Sequence, residues 1–128
     1  MARPASNQPT EVELAILQVL WDQGPCSLGQ IHDAIQASRD VAYSSTRKMV
    51  QVMLEKGIVE ADDSVRPQQY SAARSREETQ LNLLDDLVLK AFGGSAKKLV
   101  MSLMSGHRLS GEELQEVQRL TRKVERKR

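Results

Sequence analysis

Apolar residues recur at helical spacing in three stretches of the first half of the chain. Leu14, Leu17 and Trp21 share one face of a helix expected over residues 11–21, which Gly24 and Pro25 would end. A second helix is predicted to follow Ser27 and to end near residues 38–40. The third is predicted over residues 43–56, with Gly57 at its C-cap. Its inward positions are Thr46, Met49, Val50, Met53 and Leu54.

Two short runs with β propensity follow the third helix. Residues 58–61 and 68–72 flank a polar stretch over 62–67, a pattern that predicts a β-hairpin. Three helices followed by a hairpin is the order of a winged helix-turn-helix. The sequence therefore predicts this fold over residues 10–74. The polar residues 1–9, with two prolines, are expected to form a disordered arm.

Four sequence signals mark helix starts by the same chemistry. Thr10, Ser27, Ser75 and Ser110 are each followed three positions later by Glu or Gln. The hydroxyl can accept a hydrogen bond from a first-turn backbone N–H, and the longer side chain can reach back. The last two signals fall in the second half of the chain, residues 75–128, which is predicted to be helical.

The second half is predicted to contain three helices. The first covers residues 76–91, the break at 92–95 precedes a short second helix, and the third begins near Gly111. Three helices alone offer too little surface to cover their own apolar stripes, so we expect an intertwined homodimer. The predicted dimerisation residues are Leu81, Leu84, Leu87, Val88, Phe92, Leu99, Val100, Leu103, Leu114, Val117, Leu120 and Val124.

Charge is divided unevenly between the halves. The chain carries a net charge of +1, but residues 1–74 hold seven Lys and Arg against nine Asp and Glu, a net of −2. The remainder holds eleven against eight, a net of +3. A DNA-binding first half would have to use a local basic face. The alternative is a protein-interaction module with the winged-helix shape and no sequence-specific DNA binding.

Catalytic and metal chemistry find little support in the sequence. Cys26, His32 and His107 have no metal-site spacing, so neither a metal nor a cofactor is expected. Cys26 is interpreted as a small apolar residue beside a turn and His32 as a surface or rim residue. Adjacent carboxylates such as Asp85 and Asp86 point apart on a helix, and we expect no enzyme and no catalytic residue. No apolar run suits a membrane span or a signal peptide, so a cytoplasmic protein is expected.

These features together resemble the penicillinase repressor (BlaI/MecI/CopY) family. The resemblance covers most of the chain and is carried by several segments in a shared order. They are ELAILQVLW at 13–21, DVAYSST at 40–46, LEKGIV at 54–59, QY at 69–70, SREE at 75–78, FGGS at 92–95, KLV at 98–100 and LSGEEL at 109–114. The resemblance implies a mainly α protein with a winged helix and a three-helix dimerisation domain. It also implies dimers on inverted-repeat operators that silence resistance genes, notably for β-lactamase, or stress genes.

The third helix is the predicted DNA reader. With its apolar positions inward, the outward residues suit the major groove, where Arg47 could contact guanine and Gln51 adenine. Arg66 in the hairpin loop would touch the DNA backbone or minor groove. The alternatives are an ordinary solvated helix face and a plain turn. The predicted DNA-binding residues are Tyr43, Ser44, Ser45, Arg47, Lys48, Gln51 and Arg66.

The resemblance also bears on sequence preference and on release from DNA. This chain has Thr46 followed by a basic pair, and Val52 where relatives often carry Arg, so its operator is expected to differ. In the penicillin-responsive branch a membrane sensor protease pathway leads to cleavage of the dimerisation region. The matching bond would join Ser102 and Leu103, where cleaved relatives carry Asn-Phe. The cysteine cluster of the copper-responsive branch is missing.

Overall fold

The computed structural model describes residues 8–127, so residues 1–7 of the predicted disordered arm lie outside the described part. The fold is mainly helical with a small antiparallel sheet, as the sequence predicted. Its elements are α1 (Glu11–Gln23), β1 (Cys26–Ser27), α2 (Leu28–Gln36), α3 (Tyr43–Lys56), β2 (Val59–Asp62), β3 (Gln69–Ala72), α4 (Arg76–Ala91), α5 (Ala96–Ser105) and α6 (Gly111–Arg126).

The chain divides into two compact units between Leu83 and Leu84, inside α4. We call them the N-terminal unit and the C-terminal unit. The division predicted from the sequence falls earlier, between residues 74 and 75, and stays a prediction. None of the described helices is long and apolar enough to cross a membrane.

The sheet of the N-terminal unit has the strand order β1-β3-β2, and both pairings are antiparallel. The predicted hairpin is β2 and β3, which register Val59 opposite Ala72 and Asp62 opposite Gln69. The strand β1, which pairs Cys26 with Tyr70, was not predicted. With two residues it is too short to show the alternation by which a strand is recognised in a sequence.

Side chains cap the helices where the sequence predicted. Thr10, Ser27 and Ser110 each form a complete capping box with the Glu or Gln three residues later. Ser75 Oγ accepts a hydrogen bond from Glu78 N at 3.1 Å. Each such cap stabilises a helix by about 1 kcal/mol. The exception is α3, whose N-cap is Ala42 and whose first turn has no side-chain cap.

A continuous core fills the N-terminal unit. It joins α1, α2 and α3 to the sheet through the buried apolar side chains of Ile16, Leu17, Leu20, Cys26, Ile31, Ile35, Val50, Met53 and Val59. Gly57, with φ +76°, reverses the chain after α3 and so brings β2 back against this core. The prediction that His32 is a surface or rim residue was wrong, since His32 is only 9% exposed. Its ring nitrogen can be buried because it has a hydrogen-bond partner in Thr46, a buried residue of α3.

A buried ion pair fastens the beginning of α1 to the end of α3. Lys56 Nζ lies 2.7 Å from Glu13 Oε1, and the same carboxylate accepts a hydrogen bond from Thr10 N at 2.9 Å. Burial raises the pKa of Glu13, but the bonds from Lys56 and Thr10 outweigh it and hold that pKa below its ordinary value. This carboxylate therefore serves both as capping residue and as ion-pair partner.

The C-terminal unit contains the end of α4 together with α5 and α6. Between Leu84 and Lys127, no residue is buried. Ser95 caps α5 and Ser110 caps α6, so the helices are locally well formed. Their apolar side chains are nevertheless left largely open to solvent.

Candidate nucleic-acid interface

The helix α3 presents a polar, basic face. Its inward residues Thr46, Val50 and Met53 are buried against the core, and this packing turns the intervening positions outward. All six residues predicted on the reading face are exposed: Tyr43, Ser44, Ser45, Arg47, Lys48 and Gln51. Among residues 8–127, no carboxylate forms an ion pair with Arg47 or Lys48, so both cations remain available to an anionic partner.

The N-terminal end of α3 offers unused backbone donors. The first N–H groups of a helix have no acceptor within it. At α3 the cap residue is Ala42, which contributes its carbonyl oxygen to Ser45 N and Thr46 N but has no side-chain acceptor. An anion near this end would meet both the donors and the positive end of the helix dipole.

A polar cluster under this end connects α2 to α3. His32 Nδ1 lies 2.9 Å from Thr46 Oγ1, and the His32 ring meets the Tyr43 ring edge-on, with centroids 5.2 Å apart and planes at 80°. Thr46 is fully buried, whereas Tyr43 is 49% exposed. Sequence analysis did not predict this cluster. The only signal in the sequence that His32 could be buried was its position directly after Ile31, which faces inward.

The loop between β2 and β3 carries Arg66. Residues 61–67 are all exposed, and in the described part of the chain Arg66 has no carboxylate partner. Asp62 Oδ1 accepts hydrogen bonds from Ser64 N at 3.0 Å and from Ser64 Oγ at 2.5 Å, and these bonds lower the pKa of Asp62. The loop therefore combines one available cation with a firmly ionised carboxylate.

The start of α4 is held against α1 by a second group of side chains that the sequence did not reveal. Trp21 Nε1 donates a hydrogen bond to Arg74 O at 3.0 Å. The guanidinium of Arg76 lies 5.6 Å from the centre of the Trp21 ring and 2.5 Å from Asp22 Oδ1. Thr79, one turn along, is buried. The first turns of α4 are thus part of the N-terminal unit.

The structure gives no support to the catalytic or metal chemistry considered for Cys26 and the other potential ligands. Cys26 is buried and its thiol donates to Gly24 O at 3.2 Å, and burial raises the pKa of this thiol. A raised pKa leaves little thiolate at neutral pH, and the thiolate is the reactive form. Across residues 8–127 there is no group of three or more His, Cys, Asp and Glu side chains that could hold a metal ion.

The apolar residues predicted to form a dimer are exposed or half-buried within a single chain. Exposed members are Leu81, Leu84, Leu87, Val100, Leu103, Val117, Leu120 and Val124, and half-buried members are Val88, Phe92, Leu99 and Leu114. Within the C-terminal unit, Val100, Leu103 and Met104 of α5 face Leu114 and Val117 of α6 across an open groove of about 520 Å³.

The bond suggested for cleavage lies inside a helix. Ser102 and Leu103 are both exposed, but they occupy the middle of α5, which runs from Ala96 to Ser105. Proteases bind substrates as extended strands, whereas a helix closes its backbone groups on itself. Cutting here would require α5 to open locally.

The architecture is a winged helix-turn-helix with an exposed basic face on its third helix. A family model described as penicillinase repressor matches residues 9–123, and the chain belongs to this family. One relative, "Transcriptional regulator BlaI" of Mycobacterium tuberculosis, is 25% identical over 92 residues, covering 71% of this chain and 67% of the relative. The "Penicillinase repressor" of Staphylococcus aureus is 20% identical over 125 residues, covering 95% and 99%. The "Methicillin resistance regulatory protein MecI" of Mammaliicoccus sciuri is 19% identical over 114 residues, covering 89% and 93%.

Proposed function

We propose that this protein is a homodimeric transcriptional repressor that binds inverted-repeat DNA. The observation that carries the proposal is the exposed face of α3, where Arg47 and Lys48 have no ion-pair partner among residues 8–127 and the first turn has no side-chain cap. A helix of this kind fits the major groove with its N-terminal residues toward the bases. In this placement Arg47 and Gln51 read base edges, and Ser44, Ser45 and Lys48 hold phosphates.

The wing, which is the hairpin of β2 and β3 with its loop, adds a contact that carries no sequence information. Arg66 has no ion-pair partner in the described part of the chain, and an exposed loop can reach the phosphate backbone. The ionised Asp62 close by opposes phosphate, which limits what this loop contributes. Most of the sequence preference therefore falls to α3.

The exposed state of the C-terminal unit supports the proposed dimerisation. A domain needs a buried core, but the apolar side chains of residues 84–127 are all exposed or only half-buried within one chain. Leu120 and Val124 of α6 are 49% and 57% exposed. A second copy of the same unit supplies the missing apolar surface, and two-fold symmetry matches the inverted repeat. Linking two reading helices raises affinity by roughly 10²- to 10⁴-fold over a single one.

The regulated genes are proposed from the names of the relatives. Their descriptions speak of penicillinase and of methicillin resistance, which favours antibiotic-resistance genes as targets. Release would come from loosening or cleavage of the dimerisation region, because a lost dimer loses the linkage between its reading helices. A membrane sensor protease acting near Ser102 and Leu103 is one such route. A repressor of this kind works in the cytoplasm.

The test begins with the selection of DNA sequences that the protein binds. Purified protein is used to enrich duplexes from a random-sequence pool, and binding to the enriched duplex and a scrambled version is followed by fluorescence anisotropy across a salt series. We expect an enriched inverted repeat bound by a dimer, with strong salt dependence. Arg47→Gln should reduce affinity for the enriched duplex by roughly tenfold or more. Lys97→Gln, the same loss of charge on α5, is the matched control and should leave affinity nearly unchanged.

A second candidate is a protein-interaction module without sequence-specific DNA binding. The net charge of −2 over residues 1–74 and the acidic hairpin loop favour it. Selection without enrichment, together with weak binding that does not depend on salt, would support this candidate and contradict the repressor.

A further inference from the structure

We propose that His32 is a positioning residue of the DNA interface, which holds the first turn of α3 and the Tyr43 ring in place for recognition of DNA sequence. The proposal rests on the proposed function. His32 touches no DNA in this scheme, because it is 9% exposed and lies on α2 beneath the reading helix. It acts through two residues of α3.

The first connection is the hydrogen bond to Thr46. The hydroxyl of Thr46 is fully buried, and its 2.9 Å contact with His32 Nδ1 ties α2 to the first turn of α3. A buried hydrogen bond of this length has a narrow range of productive geometry. It therefore fixes the position of α3 along α2 more closely than apolar packing would.

The second connection is the ring contact with Tyr43. Tyr43 is the first residue of α3 and is 49% exposed, so about half of its surface lacks packing partners within the N-terminal unit. The edge-on contact with His32 gives the exposed ring one favoured orientation. Without it, the side chain at the DNA-facing start of the helix would sample several rotamers.

The absence of a side-chain cap at α3 makes these connections more important. The helices α1, α2 and α6 have complete capping boxes, whereas Ala42 provides α3 with none. Helix ends that lack a cap fray readily. His32 binds the first and fourth residues of α3 from below, which restrains fraying while leaving the backbone donors of this end free for DNA.

The test compares affinities for the enriched duplex and its scrambled version. His32→Leu, which retains apolar bulk, should lower the ratio of these affinities by roughly three- to tenfold. Thr46→Val removes only the hydroxyl and His32→Phe retains only the ring, so each should give part of this loss. Ile31→Val is the matched control: it weakens the neighbouring core position of α2 but should leave the ratio unchanged.

Hydrogen exchange provides a second measurement that does not involve DNA. The amides of Ser45 and Thr46, which donate to Ala42 O, should exchange faster in His32→Leu than in Ile31→Val, because only the first removes the restraint on the first turn. An unchanged affinity ratio in His32→Leu would overturn this inference while the proposed function stands. The inference would likewise be overturned if His32→Leu lowered the affinities for both duplexes by the same factor. It would also be overturned if Ile31→Val lowered the affinity ratio as much as His32→Leu does. Wild-type protein that does not discriminate between the duplexes would overturn both proposals.

Discussion

The ion pair between Glu13 and Lys56 makes a strong prediction about stability. Glu13→Gln keeps the side-chain volume and an oxygen that can still accept from Thr10 N, since Gln also serves in a capping box. What it removes is the negative charge 2.7 Å from Lys56 Nζ. The Lys56 side chain is only 16% exposed, so its ammonium would be left mostly buried without a carboxylate.

The size of the effect follows from this geometry. Removing one partner of a fully buried ion pair costs about 3–5 kcal/mol. Because Lys56 keeps some contact with water, we expect Glu13→Gln to lower the free energy of unfolding by about 2–3 kcal/mol near neutral pH. Glu11→Gln is the matched control. It makes the same charge change two residues earlier, but the Glu11 side chain is 86% exposed, so a loss below about 1 kcal/mol is expected.

The pH dependence distinguishes a charge effect from a packing effect. The pKa of Glu13 in the folded protein lies below its ordinary value of 4.5. A carboxyl with a depressed pKa contributes stability above the unfolded-state pKa and loses it as the pH falls through the folded-state pKa. The difference between wild type and Glu13→Gln should therefore be constant near neutral pH and shrink as the pH falls below about 4.5.

The measurement is denaturant unfolding followed by tryptophan fluorescence. Trp21 is the only tryptophan of the chain and lies in the N-terminal unit, so its signal reports on the unit that contains the ion pair. The reasoning is refuted if Glu13→Gln is as stable as wild type near neutral pH. A stability difference that persists unchanged in acid would show that the Glu13 charge is not its source.

Two further predictions concern the proposed DNA complex. Arg66→Ala should weaken binding to the enriched and scrambled duplexes alike and make the salt slope shallower by roughly one unit in an anisotropy titration; a loss confined to one base position would contradict the wing contact. Leu120→Glu places a charge in the apolar stripe of α6 and should give a monomer in sedimentation, with affinity for the inverted repeat reduced by roughly 10²- to 10⁴-fold. Gln115→Glu adds the same charge outside the stripe and should remain dimeric, and a dimeric Leu120→Glu would argue against this interface.

The elements that could be predicted are those fixed by local chemistry. The helix α3 could be predicted from the spacing of its inward residues Thr46, Val50 and Met53, and its end from Gly57, which adopts the left-handed conformation after it. The outward positions of the reading face follow from the same periodicity. Helix starts could be read because a capping box spans only four residues.

The features that could not be predicted depend on partners distant in sequence. His32 is buried because its ring nitrogen finds Thr46, fourteen residues later. Trp21 finds its acceptor fifty-three residues away, at Arg74, and Lys56 lies forty-three residues from Glu13. Periodicity shows that a position faces inward, but not that a polar side chain will meet a matching group there. These contacts appear only once the helices have been placed.

The position of Ser102 and Leu103 inside α5 implies that proteolysis depends on the stability of that helix. The helix has ten residues, Ala96–Ser105, and its N-cap is Ser95, whose hydroxyl accepts from Lys98 N at 3.2 Å. Ser95→Ala removes this cap, which costs about 1 kcal/mol and should make the open form roughly fivefold more populated.

Limited proteolysis with an enzyme that cuts on the amino side of leucine, followed by mass spectrometry, measures this population at the bond between Ser102 and Leu103. We expect Ser95→Ala to be cut there roughly fivefold faster than wild type when opening is fast compared with cleavage. Ser110→Ala removes the equivalent cap of α6 and should leave the rate at Leu103 nearly unchanged. Equal rates in all three proteins would mean that cleavage proceeds without opening α5 from its capped end. In that case a protease could reach this bond in the folded repressor, and helix stability would not govern release.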